Sequence, residues 1–253
     1  MAEHCPPIRV LIWNENVDEQ RIPGTLATYP AGIHGALNDF LGAAFDTTAA
    51  TWDQDGDRGL SAARLDATDV LLWYSHWNYP IEETTCAHIQ KRVFEGMGVI
   101  FLHSGVLSQL HGRLVGPCSS GVYREVGEIE RLWVINRAHP ILDGLPDHID
   151  IPQSEMYPEP RDIPTPDELL TISWYEGGEV LRSGYTYTRG AGRIFCFLPG
   201  HSTFPIYRQP QIQQLLTNAV AWCAPRPRPP VQSRRGEVGF EYVTKAHNDR
   251  SAG

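Results

Sequence analysis

The chain has 253 residues, 42% of them apolar, which suits one large hydrophobic core, alone or with a small lobe. Net charge is −9, and because residues 224–253 carry six Lys/Arg against three Asp/Glu the body before them stands at −12, which argues against nucleic-acid and anionic-membrane partners. No run of residues has the apolar length of a membrane helix, Met1–Pro7 does not read as a secretory signal, and five scattered cysteines without a CxxC pair argue against a disulfide framework and a thiolate zinc site; a cytoplasmic protein is expected.

The first strand is expected over Ile8–Trp13, followed by Asn14 and Glu15 and a loop to Pro30. A helix follows, with the stripe Ile33, Leu37, Phe40, Leu41 and Ala44 at helical spacing. A short strand near Thr47–Thr51 leads into a turn-rich loop, Asp53–Gly59, and then to a buried strand, Asp69–Tyr74. Cys86, Ile89, Val93 and Met97 mark one face of a helix over Glu83–Met97, which Gly96 and Gly98 stop before the strand Val99–Leu102. Strand, helix and strand in alternation imply an open, mostly parallel α/β sheet with helices on both faces and ligands at the carboxyl ends of the strands.

From Tyr123 to Gly192 short strand-like runs (Glu130–Asn136, Ile149–Ile151, Leu169–Trp174, Tyr185–Thr188) are divided by Pro and Gly, which reads as a strand-rich insertion or extension. A hairpin at Arg189–Gly192 should lead into the strand Arg193–Leu198, and the helix Gln211–Cys223 should close the core of a domain spanning residues 1–224. The Pro/Arg-rich tail, 225–253, reads as an extended arm, mobile or draped on a neighbouring subunit of a homo-oligomer. Neither GxGxxG nor GxxxxGK[ST] occurs, so no nucleotide cofactor is signalled.

Three histidines end or follow expected strands: His76, His103 and His201. On one edge of a parallel sheet they could bind a divalent metal such as Zn, or carry acid/base chemistry without one. An isolated histidine would simply cap its strand; three at equivalent topological positions favour a shared pocket. Glu155 is the carboxylate to add, as metal ligand or proton acceptor, although a solvated loop acid is the competing reading. Asn14, Glu15 and His34 are expected on the same edge as substrate contacts. Trp73 and Tyr157 are candidate sugar-stacking faces among Trp13, Tyr74, Trp77, Tyr79, Phe204 and Tyr207, at least half of which should serve the core. The segment Gly98–Gly105 has the form of a strand-to-helix elbow presenting His103 and Ser104. It holds no cysteine, which argues against a cysteine-dependent glutaminase. A Ser104–His201 dyad is disfavoured because no glycine precedes Ser104 at the GxSxG spacing.

The blocks Ile12–Glu15, Tyr29–His34, Glu95–Gly105, Glu130–Trp133, Glu155–Tyr157, Ile172–Val180 and Phe197–His201, in this order, resemble the ThuA-like, trehalose-utilisation family over Ile8–Cys223. The resemblance implies a flavodoxin-like three-layer α/β/α sandwich similar to class I glutamine amidotransferases. In that fold His103-Ser104 resembles the nucleophile turn and His201 the amidotransferase histidine. It also implies work on trehalose-related sugars or keto-sugar intermediates supplied by a partner dehydrogenase. The expected function is therefore isomerisation or cleavage of a sugar or keto-sugar, with a non-catalytic sugar-binding or regulatory protein as the alternative.

Overall fold

The computed structural model describes residues 6–119 and 121–226. The expected tail beyond Arg226, with its proposed role in oligomerisation, lies outside them. Nine strands form a single sheet: β1 (Arg9–Asn14), β2 (Asp46–Thr51), β3 (Val70–Tyr74), β4 (Gly98–Leu102), β5 (Arg124–Val134), β6 (His148–Met156), β7 (Glu168–Tyr175), β8 (Val180–Arg189) and β9 (Gly192–Phe197), in the order β2-β1-β3-β4-β9-β8-β7-β5-β6.

Strands β2, β1, β3, β4 and β9 are parallel neighbours. Their side chains alternate between two cores, as the two-residue repeat of a strand dictates. Val10, Ile12, Leu72 and Ile100 face the helices Gly32–Leu41 and Pro210–Cys223, where Ile33, Leu37, Leu215 and Leu216 are buried. Leu11, Trp13, Leu71 and Phe101 face the opposite layer, where the helix Glu83–Glu95 contributes Cys86, Ile89 and Val93. This half has the expected three layers.

The other half corrects the expectation of a mostly parallel sheet, because β9–β8, β8–β7, β7–β5 and β5–β6 are all antiparallel pairs. The strand-rich segment is no separate lobe; it prolongs the same sheet through the two-residue turn Gly190-Ala191. Three strands are much longer than their apolar runs suggest: β5 begins at Arg124, β8 begins at Val180, and β6 continues to Met156, so Glu155 lies inside a strand. Pro152 is tolerated there because β6 is an edge strand. The expected loop Asp53–Gly59 contains a short helical turn, Asp55–Arg58.

Direction along the sheet positions the site. Two successive antiparallel steps from β9 restore its direction at β7, and two more restore it at β6. The carboxyl end of β6 therefore lies on the same edge as those of β1, β3, β4 and β9. Irregular pairing between Arg124 and Glu130 bends the β5–β6 ribbon, and its end returns over that edge. Among the described residues no helix is long and apolar enough to cross a membrane.

Candidate active site

Glu15, directly after β1, shapes the loop that follows β3. Its buried carboxylate accepts the backbone N–H groups of His76 at 2.9 Å, Trp77 at 2.8 Å and Tyr79 at 2.5 Å. Burial pushes this carboxyl above its usual range, against the pull of the three donors. Asn14 is also buried; its amide donates to Glu19 at 2.7 Å and meets Nδ1 of His34 at 3.0 Å. Trp73, 2% exposed, stacks on Trp13 with ring centroids 3.8 Å apart. Asn14, Glu15, His34 and Trp73, expected as substrate contacts, thus build the floor and do not line the cavity. The physical reason is that Asn14 and Trp73 still belong to buried strands, while Glu15 and His34 are turned to backbone N–H groups and to Asn14.

The three expected histidines do converge. His76 is held by Asp18, whose carboxylate meets its Nδ1 at 2.9 Å and accepts the Trp77 indole N–H at 2.6 Å. His103 starts a short 3₁₀ turn at the end of β4 with φ 52°, a left-handed backbone unusual for a residue with a side chain. His201 follows β9 after Gly200, whose φ is 105°; a Cβ there would fall 2.6 Å from Ile206 Cγ2. His201 Nδ1 lies 2.8 Å from Thr203 Oγ1 and 3.2 Å from Glu125 Oε1. One ring nitrogen from each histidine lies within 4.8 Å of the other two.

Glu155 faces this cluster. Its Oε2 is 3.8 Å from His103 Nε2 and 4.0 Å from His201 Nε2, and it accepts the Tyr157 hydroxyl, which is 3.4 Å from His103 Nε2. Above them opens a cavity of about 340 Å³ whose lining includes His76, Trp77, Ser104, Glu155, Tyr157, Arg161 and His201. That volume suits a small ligand.

Burial sets the protonation states. It lowers His103 well below the ordinary imidazole value, aided by the neighbouring His76 and His201 rings, and it brings His201 down to about 4. His76 goes the other way, because hydrogen bonding to Asp18 and its charge outweigh burial. Asp18 correspondingly stays below its usual range despite burial. Burial raises Glu155 to about 7, against the Tyr157 hydrogen bond, and raises the Tyr157 phenol well above its ordinary value. At neutral pH two neutral imidazoles therefore face a carboxyl poised between acid and base.

The donor set suits a divalent cation of the zinc type: neutral imidazole is its usual ligand. With Nδ1 of His76 on Asp18 and Nδ1 of His201 on Thr203 and Glu125, the Nε2 atoms of both rings make no hydrogen bond among the described residues. A carboxylate behind a histidine is the usual outer support of such a ligand. Ser104 lines the cavity, yet among the described residues its hydroxyl has no hydrogen bond to His103 or His201, so no serine–histidine dyad is assembled.

Sequence reasoning missed Asp18, Glu125 and Arg161. Asp18 sits in the short helix Asp18–Arg21, Glu125 on the bent start of β5 and Arg161 in the loop after β6. No spacing singles them out; only the folded path of the chain brings them to the histidines.

The fold is shared with proteins of low sequence similarity. A putative ThuA-like protein from Parabacteroides merdae superposes with a TM-score of 0.65 at 15% identity, over 90% of this chain and 94% of that one. A putative ThuA-like protein from Bacteroides uniformis gives 0.62 at 15% identity over 87% and 92%. A cytoplasmic protein from Salmonella typhimurium gives 0.56 at 12% identity over 87% and 100%. No curated protein matches the sequence significantly. The family model for ThuA, described as trehalose utilisation, matches residues 9–223. This span contains every strand and all three converging histidines, and by it the chain belongs to the ThuA family.

Proposed function

We propose that the protein is an enzyme of sugar utilisation that moves a proton at the carbon beside the carbonyl of a keto-sugar, leading to isomerisation or cleavage. The observation that carries this reading is the carboxyl of Glu155, which lines the cavity with His201 and lies 3.8 Å from the buried His103 and 4.0 Å from His201. The parallel half is read as a flavodoxin-like core of the class I glutamine amidotransferase type, with His103 at the nucleophile turn.

In the proposed reaction Glu155, as carboxylate, takes the proton from the α-carbon, and the electron pair moves onto the carbonyl oxygen to give an enediolate. Return of the proton to the former carbonyl carbon, with the hydroxyl proton of the α-carbon passing to the former carbonyl oxygen, completes an isomerisation; departure of a glycosidic oxygen from the β-carbon completes a cleavage. Tyr157 holds Glu155 in place through its hydroxyl. A divalent cation such as zinc, held by His76, His103 and His201, would polarise the carbonyl.

The test uses a keto-disaccharide prepared by oxidising trehalose, incubated with the protein in D₂O and followed by NMR. Deuterium entering beside the carbonyl, lost in Glu155→Gln and in folded His103→Ala and His201→Ala, is the expected result. Full exchange in both histidine variants overturns it. Elemental analysis before and after chelation tests the metal: a stoichiometric ion that His201→Ala loses supports the ligand set. A metal-free protein that binds the sugar without exchange is the sugar-binding alternative.

A further inference from the structure

Arg161 is the one cation of the cavity wall that the proposed proton transfer does not use. It is 2% exposed, and its guanidinium lies 4.7 Å over the Tyr157 ring, which fixes its plane. Its Nε and Nη1 are buried without a hydrogen-bond partner among the described residues. Glu159, two residues away, does not supply one: it is committed to the Arg182 guanidinium at 2.7 and 3.1 Å and takes only the backbone N–H of Arg161. Glu155 is occupied by Tyr157, and among the described residues no carboxylate lies within ion-pair distance of Arg161. Folded proteins rarely leave a buried guanidinium unpaired, and its fork of N–H groups matches carboxylate and phosphate oxygens two at a time.

We propose that Arg161 is an anion-recognising subsite, and that the molecule entering this cavity carries a carboxylate or phosphate group that docks on the guanidinium edge. The proposal rests on the sugar reading of the cavity and narrows it to acidic sugars: uronates, aldonates or sugar phosphates. Tyr157 connects the two functions, since its hydroxyl holds Glu155 and its ring face supports Arg161. Docking the anion would thus set the distance from the charged group to the carbon that reacts.

The test is calorimetric binding at low ionic strength to the full-length protein. The probes are glucuronate, glucose 6-phosphate, neutral glucose, and acetate and inorganic phosphate as sugar-free controls. Wild type should bind one acidic sugar at least tenfold more tightly than glucose, and which of the two it prefers identifies the anion. Arg161→Gln should abolish that preference, whereas Arg161→Lys should retain part of it. Because the guanidinium has no ion pair among the described residues, Arg161→Gln should unfold at no lower temperature than wild type when ligand is absent. Equal affinity for glucose and both acidic sugars, or a preference that survives in Arg161→Gln, overturns the proposal and leaves the sugar reading intact. Arg161-dependent binding of acetate or phosphate with no sugar bound upholds the subsite and overturns the sugar reading. A lower unfolding temperature in Arg161→Gln with unchanged binding makes Arg161 structural and overturns the subsite.

Discussion

The Asp18 carboxylate grips His76 through Nδ1 at 2.9 Å, with Asp18 buried and His76 facing the cavity. The pair joins the loop after β1 to the loop after β3, and it fixes which imidazole nitrogen points into the site. The outer residue, although it does not line the cavity, thereby decides what His76 can do there.

Asp18→Asn keeps the shape of this contact and removes its charge. His76 should then titrate lower, since the hydrogen bond and charge of Asp18 are what hold it above the ordinary value. Metal affinity should fall by roughly 10–100-fold, the usual effect of losing an outer carboxylate. NMR titration of the His76 ring and competition with a chelating dye would measure the two effects. An unchanged His76 titration would show that Asp18 does not control it.

Glu155 must be ionised to take a proton, so proton-transfer activity should rise with pH through about 7. A carboxyl at its ordinary value would give a rate already flat by pH 6. Glu155→Gln should lower turnover by about 10²–10⁴-fold, the range for loss of a positioned base, with the fold intact by circular dichroism. His201, held down to about 4, adds no limb near neutrality. A pH–rate profile of kcat would separate these contributions.

The parallel half of the fold and its histidines were legible in the sequence for a common reason. Strands buried on both faces, such as Leu71 and Leu72 in β3 or Val99 and Ile100 in β4, read as continuous apolar runs, and the polar residue that ends each run marks the sheet edge. The antiparallel half was less legible because β5 alternates exposed and buried positions and starts in Arg124-Glu125-Val126-Gly127, which has no apolar pattern. Its extent is decided by pairing with β6 and β7. Asn14 reads as a substrate contact because it follows the first apolar run, and Trp73 because it is an aromatic face near the same edge. What the sequence could not convey is that Glu19 and Trp13 enclose them.

Glu130 offers a stability test away from the cavity. It is fully buried in β5, hydrogen-bonded by Ser154 and Ser173, and burial raises it to about 7. Its proton is bound more tightly in the folded chain than in the unfolded one, so its contribution is complete below the ordinary carboxyl value of 4.5 and is lost as pH rises through about 7. The loss is on the order of 3 kcal/mol. Glu130→Gln should remove that decline, so urea denaturation at pH 5 and pH 8 should differ less in the variant than in wild type. A decline as steep in the variant assigns the pH dependence to other groups.

Two glycines with left-handed backbones separate conformational strain from crowding at the site. Gly144 has φ 73° and nothing within 4 Å of where a Cβ would stand, so Gly144→Ala should cost only the backbone term, about 1–2 kcal/mol. Gly200 has φ 105°, and its added Cβ would meet Ile206 Cγ2 at 2.6 Å, which adds about 1–3 kcal/mol of overpacking. Ile206 is 2% exposed in the core and cannot yield freely, so the strain must pass to the neighbouring peptide, which carries His201. Gly200→Ala should therefore be the less stable variant in urea denaturation and should also weaken metal and sugar binding, whereas Gly144→Ala should bind as wild type does. If Gly200→Ala binds normally at a temperature where it is folded, then His201 is placed by Thr203 and Glu125 alone, and the tight turn before it serves packing only.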